Sequence, residues 1–339
     1  FLGVANATSD PGERFLVESV VGHNYTDVLP SLNLSWDVAE SVVVRFGAAK
    51  TMARPTLTYM SPSVSGGPSN FFDDGRYYSI NLGNPKLDPF RSTNYDLSAE
   101  WYFSEGGLLS AAVFYKDIDS YVQRTRLLST WSDLGYALDL LPPGFTADTV
   151  FNVQSYYNTP GGPLKGWELG YQQPFTFLPG IWSNFGVQMN YTHVDSDIQY
   201  FFSRATNNNT TIETTVTDNQ LVNLSPNSYN ATLYYDDGTF SARVSTSYRD
   251  GYIGEVLSQE NVYDLDGNEF ATADVTGKRG VRNVDFNMSY AVSDKLSLTL
   301  EAINLLDTED QRYVDSDLML PDRYTTTGRQ YYVGARYRF

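Results

Sequence analysis

Apolar and polar residues alternate with a period of two in eleven segments of the chain. In one of them, Leu296, Leu298 and Leu300 alternate with Ser297 and Thr299. Successive side chains of a β-strand point to opposite faces, so this alternation predicts strands with one apolar and one polar face. The predicted strands are Leu29–Trp36, Ser41–Met52, Asn94–Phe103, Leu108–Val122, Trp167–Phe177, Asn184–Tyr191, Ser228–Tyr235, Phe240–Tyr248, Arg282–Ala291, Leu296–Leu306 and Gln330–Phe339.

The connections between these segments alternate strictly between tight and long. The tight ones are rich in Gly, Asp, Pro and Ser, the residues that turns require. They are Asp37–Glu40, Ser104–Gly107, Pro179-Gly180, Asp236–Gly238 and Ser293–Lys295. The long ones are Ala53–Ser92, Leu128–Leu164, Ser196–Pro226, Asp250–Val281 and Asp307–Gly328.

This order of connections separates two kinds of β-protein. Strands that run up and down gather all tight turns at one end and all long loops at the other, as outer-membrane barrels do. Greek-key crossings in a soluble sandwich would scramble the order. We therefore predict an all-β fold, a transmembrane antiparallel up-and-down β-barrel.

The composition fits this prediction and narrows the chemistry. The 339 residues include 26 tyrosines, whose rings favour apolar surroundings and whose hydroxyls favour water, as at a membrane boundary. The mean hydropathy is slightly polar, as expected when a strand exposes only every second residue to lipid. The formal net charge of −17 argues against a nucleic-acid partner. The chain has no cysteine, which excludes disulfides and thiolate metal sites within it.

Several stretches resemble the C-terminal half of TonB-dependent outer-membrane receptors. Their order and spacing cover almost the whole chain. They are Tyr25–Leu34, Ala49–Pro55, Gly83–Leu87 followed by Ser92–Asp96, Gly166–Gly170, Asn304–Asp307 and Gly328–Phe339.

The resemblance implies a larger assembly. The family's barrel has about 22 strands around a lumen that is closed by an N-terminal plug, so residues 1–339 would supply about eleven C-terminal strands. Residues 1–27 are then expected in an extracellular loop or strand end. The plug, the first barrel half and the segment that contacts TonB would lie outside this chain. Half a barrel leaves two strand edges unpaired in lipid, at several kcal/mol per unmet backbone group, so we expect the plug and the other barrel half as partners.

Neither catalysis nor a bound cofactor is indicated. His23 and His193 form neither a zinc site nor a triad, and the chain has no G-x-S-x-G motif and no phosphate-binding glycine loop. Asp264, Asp266 and Asn268 resemble the start of a calcium loop, but the bidentate Glu of such a loop is missing. A plain acidic loop is therefore favoured, with Ca²⁺ in the extracellular loops as the alternative.

The predicted long loops combine aromatic residues with acids. Aromatic rings stack on sugar rings, and carboxylates and amides bind sugar hydroxyls. An anionic ligand would require exposed Arg and Lys, whereas these loops are acid-rich, so the pattern favours a neutral oligosaccharide over a ferric siderophore. For any single aromatic residue, loop packing or an interfacial girdle is the competing interpretation. The candidate ligand-binding residues are Phe72, Tyr77, Trp131, Tyr136, Tyr156, Tyr157, Phe201 and Tyr252.

We therefore expect a multi-pass protein of the bacterial outer membrane that takes part in TonB-dependent uptake of an oligosaccharide. A ferric-siderophore receptor, a passive porin or structural barrel, and a soluble secreted β-protein are the alternatives. Outer-membrane lipid and lipopolysaccharide are expected partners, and a surface lipoprotein is a further candidate. Tyr337 and Phe339 resemble the terminal signal for outer-membrane assembly, with simple interfacial anchoring as the alternative.

Overall fold

The computed structural model describes residues 2–5, 15–18, 21–61, 64–65, 78–134, 138, 141, 145–206, 211–263, 266 and 269–339. Within these ranges the chain is built almost entirely from antiparallel strands. The short helices are α1 (Leu57–Met60), α2 (Trp131–Leu134) and a 3-10 helix at Gly180–Asn184. None of the helices in this described part has the length and apolar character needed to cross a bilayer.

The strands are numbered in chain order. They are β1 (Leu2–Ala5), β2 (Phe15–Glu18), β3 (Ser31–Ala39), β4 (Val42–Ala53), β5 (Val64–Ser65), β6 (Tyr78–Leu82), β7 (Phe90–Ser104), β8 (Gly107–Thr130), β9 (Val150–Pro174), β10 (Phe185–Ser196), β11 (Ile198–Thr206), β12 (Thr211–Asn219), β13 (Asn227–Asp236), β14 (Phe240–Arg249), β15 (Tyr252–Tyr263), β16 (Glu269–Lys278), β17 (Val281–Ala291), β18 (Leu296–Ile303), β19 (Asp310–Val314), β20 (Leu320–Thr325) and β21 (Gln330–Tyr337).

Eleven strands form one continuous antiparallel path, in the order β21-β18-β17-β14-β13-β10-β9-β8-β7-β4-β3. Each corresponds to one of the strands predicted from sequence, so the number and the up-and-down order of the strands are confirmed. We call the end of this sheet with the tight connections the turn end, and the end with the long connections the loop end. The path does not close on itself within the described residues.

Strand register collects the apolar residues on one face of the sheet. One row runs across five neighbouring strands through Leu34, Phe46, Leu97, Val113 and Trp167, each paired with the next. Leu34, Leu97 and Val113 are 55%, 47% and 52% exposed. The apolar face is therefore an uncovered hydrophobic surface, as a bilayer-facing belt requires and a dry protein core would not allow.

The opposite face of the same sheet is polar and internally hydrogen-bonded. An ion pair joins Arg45 to Glu100 at 3.4 Å, and the Asn287 amide donates to Glu301 at 3.1 Å. These contacts link neighbouring strands on the side that would line a lumen.

Two strands reach far beyond their predicted limits. β8 continues to Thr130 instead of ending near Val122, and β9 begins at Val150 instead of Trp167, so the loop predicted from Leu128 to Leu164 shrinks to residues 131–149. The period-two pattern does not predict this extension, because apolar residues there pack inside the protein and are not confined to one bilayer-facing side. Ile80, Leu82, Trp131, Phe151 and Val153 form a small buried core there, with β6 lying parallel to β9.

One predicted tight turn is wrong. β9 ends at Pro174, not Phe177, and the connection at Pro179-Gly180 spans residues 175–184, including the 3-10 helix. Phe175 and Phe177 alternate like strand residues, but the Leu178 N–H donates to the Phe175 carbonyl at 2.8 Å and closes a turn.

Candidate functional site

Three further folded units stand at the loop end of the sheet. They are the β8–β9 extension with β6, the hairpin of β11 and β12, and a four-stranded sheet in the order β15-β16-β19-β20. All arise from segments that the sequence predicted as loops. They give the loop end a defined shape in which side chains from distant parts of the chain come together.

The side chain of Gln123 holds the hairpin against the β8–β9 extension. Its amide nitrogen donates to the Gln199 carbonyl at 2.6 Å and to Thr159 Oγ1 at 2.7 Å, and its amide oxygen accepts from the Phe201 N–H at 3.0 Å. Gln123 is only 8% exposed, and buried polar groups of this kind are costly to leave unpaired. Gln123 therefore ties the hairpin to the extension through three hydrogen bonds.

Tyr200 secures the other side of the hairpin. Its hydroxyl donates to the Gln220 carbonyl at 3.1 Å and accepts from the Val222 N–H at 3.0 Å. Burial of the ring disfavours the charged phenolate and raises the pKa of Tyr200 to about 12. Ile198, two residues earlier on the same side, is fully buried.

The Gly83–Leu87 stretch forms a turn that docks on β9. The Asn84 amide donates to the Tyr156 carbonyl at 2.8 Å, Leu87 is fully buried, and the ring of Tyr59 stacks on that of Tyr156 at 4.1 Å. One face of Tyr156 is therefore covered by the protein's own loop.

The predicted ligand-binding residues do not form one group. Phe72, Tyr77 and Tyr136 lie outside the described residues. Tyr157 pairs with Gln123 across β8 and β9, which places it near the docked part of the hairpin, where Phe201 also lies. Both are half-buried, and burial raises the pKa of Tyr157.

Trp131, another of the predicted ligand-binding residues, is buried. It is 2% exposed, and its ring packs against Phe151 with centroids 5.7 Å apart. It belongs to the small core under the loops, so it cannot offer a free face to a ligand in this structure. The remaining candidate, Tyr252, lines a separate cavity at the loop end.

A cavity of about 450 Å³ opens on the polar face at the loop end. Three cationic side chains line it: Arg249 from β14, and Lys278 and Arg279 from the end of β16 and the residue after it. The ring of Tyr252 lies 4.2 Å from the Arg249 guanidinium carbon. Asp285 and Asp310 also line the cavity. Cations therefore outnumber acids here, in a chain whose net charge is −17.

Protein groups hold each of the three cations in place. Arg249 donates to Ser225 Oγ at 2.7 Å and to the Asn223 carbonyl at 3.1 Å. Lys278 pairs with Asp310 at 2.6 Å, and Arg279 donates to the Met319 carbonyl at 2.8 Å. Of the three, Arg249 and Arg279 have no carboxylate partner among the residues described, and both are exposed. They can therefore present positive charge to a ligand.

Asn304 organises the wall of this cavity. Its amide nitrogen donates to the Thr308 carbonyl at 3.2 Å and to the Gly328 carbonyl at 3.3 Å, and its amide oxygen accepts from the Thr308 N–H at 2.8 Å. Its φ of 57° lies in the left-handed region, which Asn tolerates better than most residues. One side chain thus joins the two ends of the segment that carries β19 and β20.

The sequence reasoning missed Gln123, Arg249, Lys278, Arg279 and Asn304. A polar residue that interrupts the alternation near a strand end, as Asn304 does after Ile303, was an available signal. The predicted strand order brings Arg249 opposite Val281, but it does not predict the pairing of β15 with β16, which places Lys278 opposite Tyr252.

The calcium and assembly hypotheses stay predictions. Asp264 and Asn268 lie outside the described residues, and Asp266 is exposed. No group of three metal-binding side chains occurs within the described ranges. Tyr337 ends β21, with its ring 5.3 Å from that of Phe339, and both are exposed.

Comparisons with known proteins agree with this architecture. A family model described as TonB dependent receptor-like, beta-barrel matches residues 5–305. No curated protein sequence matches the chain.

Solved structures match at low sequence identity. A mutant of the ferric enterobactin receptor PfeA from Pseudomonas aeruginosa is 16% identical with a TM-score of 0.58, over 92% of this chain and 40% of that one. The siderophore receptor PirA from Acinetobacter baumannii is 17% identical with a TM-score of 0.57, over 92% of this chain and 41% of that one. The siderophore receptor PiuA from Acinetobacter baumannii is 16% identical with a TM-score of 0.51, over 91% and 35%. The chain thus spans less than half the length of these structures.

Proposed function

The chain belongs to the TonB-dependent receptor-like β-barrel family, and from this membership we propose that it forms the later part of the wall and the outer loops of a receptor that imports a ferric siderophore. Family members are transporters of the bacterial outer membrane rather than enzymes. Energy would reach the receptor through TonB and a plug inside the lumen, as the family resemblance implies. The tight turns would then face the periplasm and the long loops the cell exterior.

The cationic cavity carries this proposal. A ferric siderophore is commonly an anionic chelate, and guanidinium groups bind anionic oxygens through short charge-assisted hydrogen bonds. Arg249 and Arg279 are exposed and line the same cavity on the polar face at the loop end, and the Arg249 guanidinium lies over the ring of Tyr252. When a ligand displaces water from the cavity, the attraction between these cations and an anion becomes stronger.

The names of the structural neighbours point the same way. The three structures compared above are described as a ferric enterobactin receptor and two siderophore receptors. At 16–17% identity these structures support the fold alone. The ligands in their names indicate which class of ligand to test first.

The oligosaccharide hypothesis has less support among the described residues. Trp131 is buried, one face of Tyr156 is stacked on Tyr59, and Tyr252 is engaged by Arg249. A stacking platform for sugar rings would need several free aromatic faces close together. The three cations of the cavity also give a neutral glycan no particular advantage.

A binding experiment on the full-length receptor separates the two ligands. Isothermal titration with a panel of ferric catecholate and hydroxamate siderophores, and with neutral oligosaccharides, should detect binding only in the siderophore arm. The variants Arg249→Gln and Arg279→Gln should each weaken that binding by roughly tenfold to a hundredfold, because a charge-assisted hydrogen bond contributes about 1.5–3 kcal/mol.

The matched control is Lys295→Gln, which removes the same charge at the turn end. It should leave the affinity unchanged. Binding of an oligosaccharide, with no siderophore bound at micromolar concentration, would overturn the proposal. Siderophore binding that is equally insensitive to all three substitutions would show that the ligand sits elsewhere.

A further inference from the structure

An arginine lies among tyrosines on the apolar face of the sheet, at its loop end. Arg282 is the residue opposite Tyr248 in the pairing of β14 with β17, and Tyr248 is opposite Tyr229 in the pairing of β13 with β14. The two tyrosine rings stack with centroids 5.1 Å apart. The Arg282 guanidinium carbon is 5.5 Å from the ring centroid of Tyr248 and 5.8 Å from that of Tyr229.

The strand register fixes which side of the sheet this cluster occupies. Counting along β17 in steps of two, Arg282 shares its face with Val284, Phe286 and Met288. Phe286 and Met288 pair with apolar residues of both neighbouring strands. Arg282 therefore faces the bilayer rather than the lumen. It is exposed on that side.

The cluster also marks the outer limit of the apolar belt. The Tyr191 hydroxyl donates to Asn227 at 2.6 Å and the Tyr248 hydroxyl to Asp250 at 2.6 Å, and both acceptors lie two residues nearer the loop end. From Tyr248 to Phe240, the aromatic residue at the turn end of β14, eight residues span about 26 Å along the strand. Because barrel strands are tilted by about 35–45°, this length corresponds to a height of about 20 Å, comparable with the apolar band of an outer-membrane barrel, about 25 Å tall.

Arg282 forms no ion pair among the described residues of the chain. The ion pairs found there involve other cations, and the oxygens of Asp250 are engaged by Tyr248 and Asn227. The tyrosine rings hold the guanidinium by cation–π attraction, which leaves its N–H edge free. A guanidinium edge matches two oxygens of a phosphate.

We propose that Arg282, Tyr229 and Tyr248 form a binding site for the phosphate of an outer-leaflet lipid. The depth of the cluster places it at the level of lipid headgroups, and a cation facing the bilayer needs a counter-anion at that level. The tyrosine rings give the acyl-chain side of the site an apolar floor. Because the cluster lies at the level of the headgroups, we expect it to bind a lipid phosphate rather than a soluble anion.

The test measures lipid binding to the full-length receptor by native mass spectrometry. The probes are bis-phosphorylated lipid A, the same lipid after removal of both phosphates, and inorganic phosphate as competitor. The wild-type receptor should retain bis-phosphorylated lipid A at least fivefold better than the dephosphorylated form, and millimolar inorganic phosphate should not displace it. Arg282→Gln should remove that preference, and Arg282→Lys should retain part of it.

Arg243→Gln is the matched control, because it removes an arginine from the polar face of the neighbouring strand β14. It should leave lipid retention unchanged. Equal retention of both lipids by the wild type, or an unchanged preference in Arg282→Gln, would overturn the proposal. Displacement by inorganic phosphate would reassign the site to a free anion. If Arg282→Gln fails to fold, the single variants Arg282→Lys and Tyr248→Leu take its place. An unchanged lipid preference in both variants would overturn the proposal as well. None of these outcomes depends on which nutrient the receptor imports.

Discussion

The side chain of Tyr234 lies across Gly186, the residue that faces it on the adjacent strand. A methyl group at position 186 would overlap with the tyrosine ring and hydroxyl. The same arrangement recurs where Phe114 covers Gly166. Aromatic rings laid over cross-strand glycines shield the backbone and fix the register of a sheet, here on the polar face of the wall.

Gly186→Ala should therefore destabilise the receptor, by about 1–3 kcal/mol, because the Tyr234 ring must leave its place. The measurement is urea unfolding of the full-length receptor in detergent, followed by tryptophan fluorescence. Gly47→Ala is the control, since the nearest atom to a methyl group there, Asn33 Oδ1, is 3.4 Å away. In a Tyr234→Ala background the cost of Gly186→Ala should largely disappear; an equal cost in both backgrounds would contradict the steric explanation.

Gln123→Leu should release the β11–β12 hairpin from the β8–β9 extension. The substitution leaves the Gln199 carbonyl and the Phe201 N–H without their partner, at about 1–3 kcal/mol for each buried group. Hydrogen–deuterium exchange should show faster exchange in peptides covering β11, with the wall strands unaffected. Gln188→Leu, at an exposed wall position, serves as the control. Unchanged protection of β11 would mean that Ile198 and Tyr200 hold the hairpin without Gln123.

Two substitutions of Asn304 separate its backbone role from its hydrogen bonds. Asn304→Gly keeps access to the φ of 57° but loses the bonds to Thr308 and Gly328, whereas Asn304→Ala also adds strain. Asn304→Ala should therefore lower the free energy of unfolding by about 1–2 kcal/mol more than Asn304→Gly does. Thermal unfolding of the receptor measures the difference, and Leu306→Ala, at an exposed position of the same turn, controls for local truncation. Equal stability of the two variants would indicate that the backbone relaxes out of the left-handed region.

Alkaline pH should loosen the hairpin through Tyr200. Its pKa is raised from 10.0 to about 12 in the folded protein, so the stability that it contributes is complete below pH 10 and is lost as the pH rises through about 12. The difference in tyrosinate absorbance between the wild type and Tyr200→Phe should therefore titrate near pH 12. A difference curve centred near the ordinary tyrosine value would show that the ring is not buried in solution.

The wall was predictable because lipid imposes one simple rule on it. Every second residue of strands such as β18 meets hydrocarbon, and the alternation of Leu296, Leu298 and Leu300 with polar residues records that rule. The loop end obeys no such rule. Trp131 and Tyr252 are both aromatic residues of predicted loops, but one is buried in a small core and the other stands beside a guanidinium. Their different environments depend on contacts between segments far apart in sequence.

The charge of the cationic cavity was likewise not predictable from the sequence. Acidic loop sequences disfavour an anionic ligand only when charges are averaged over whole segments. Folding brings Arg249 from the end of β14 to Lys278 and Arg279 after β16, so the local balance differs from the average. Side-chain positions, rather than composition, decide the electrostatics of a site of this size.

The strand path has two free margins, β3 and β21. Within the described residues β3 pairs only with β4, and β21 only with β18. Water can satisfy the open N–H and C=O groups of such a margin, but hydrocarbon cannot. Transfer of this sheet into the membrane is therefore linked to formation of a seam with other strands, so barrel closure and membrane entry become one coupled event. The hydrophobicity of a single strand is therefore not sufficient for stable insertion, because its open margin must also find a partner strand.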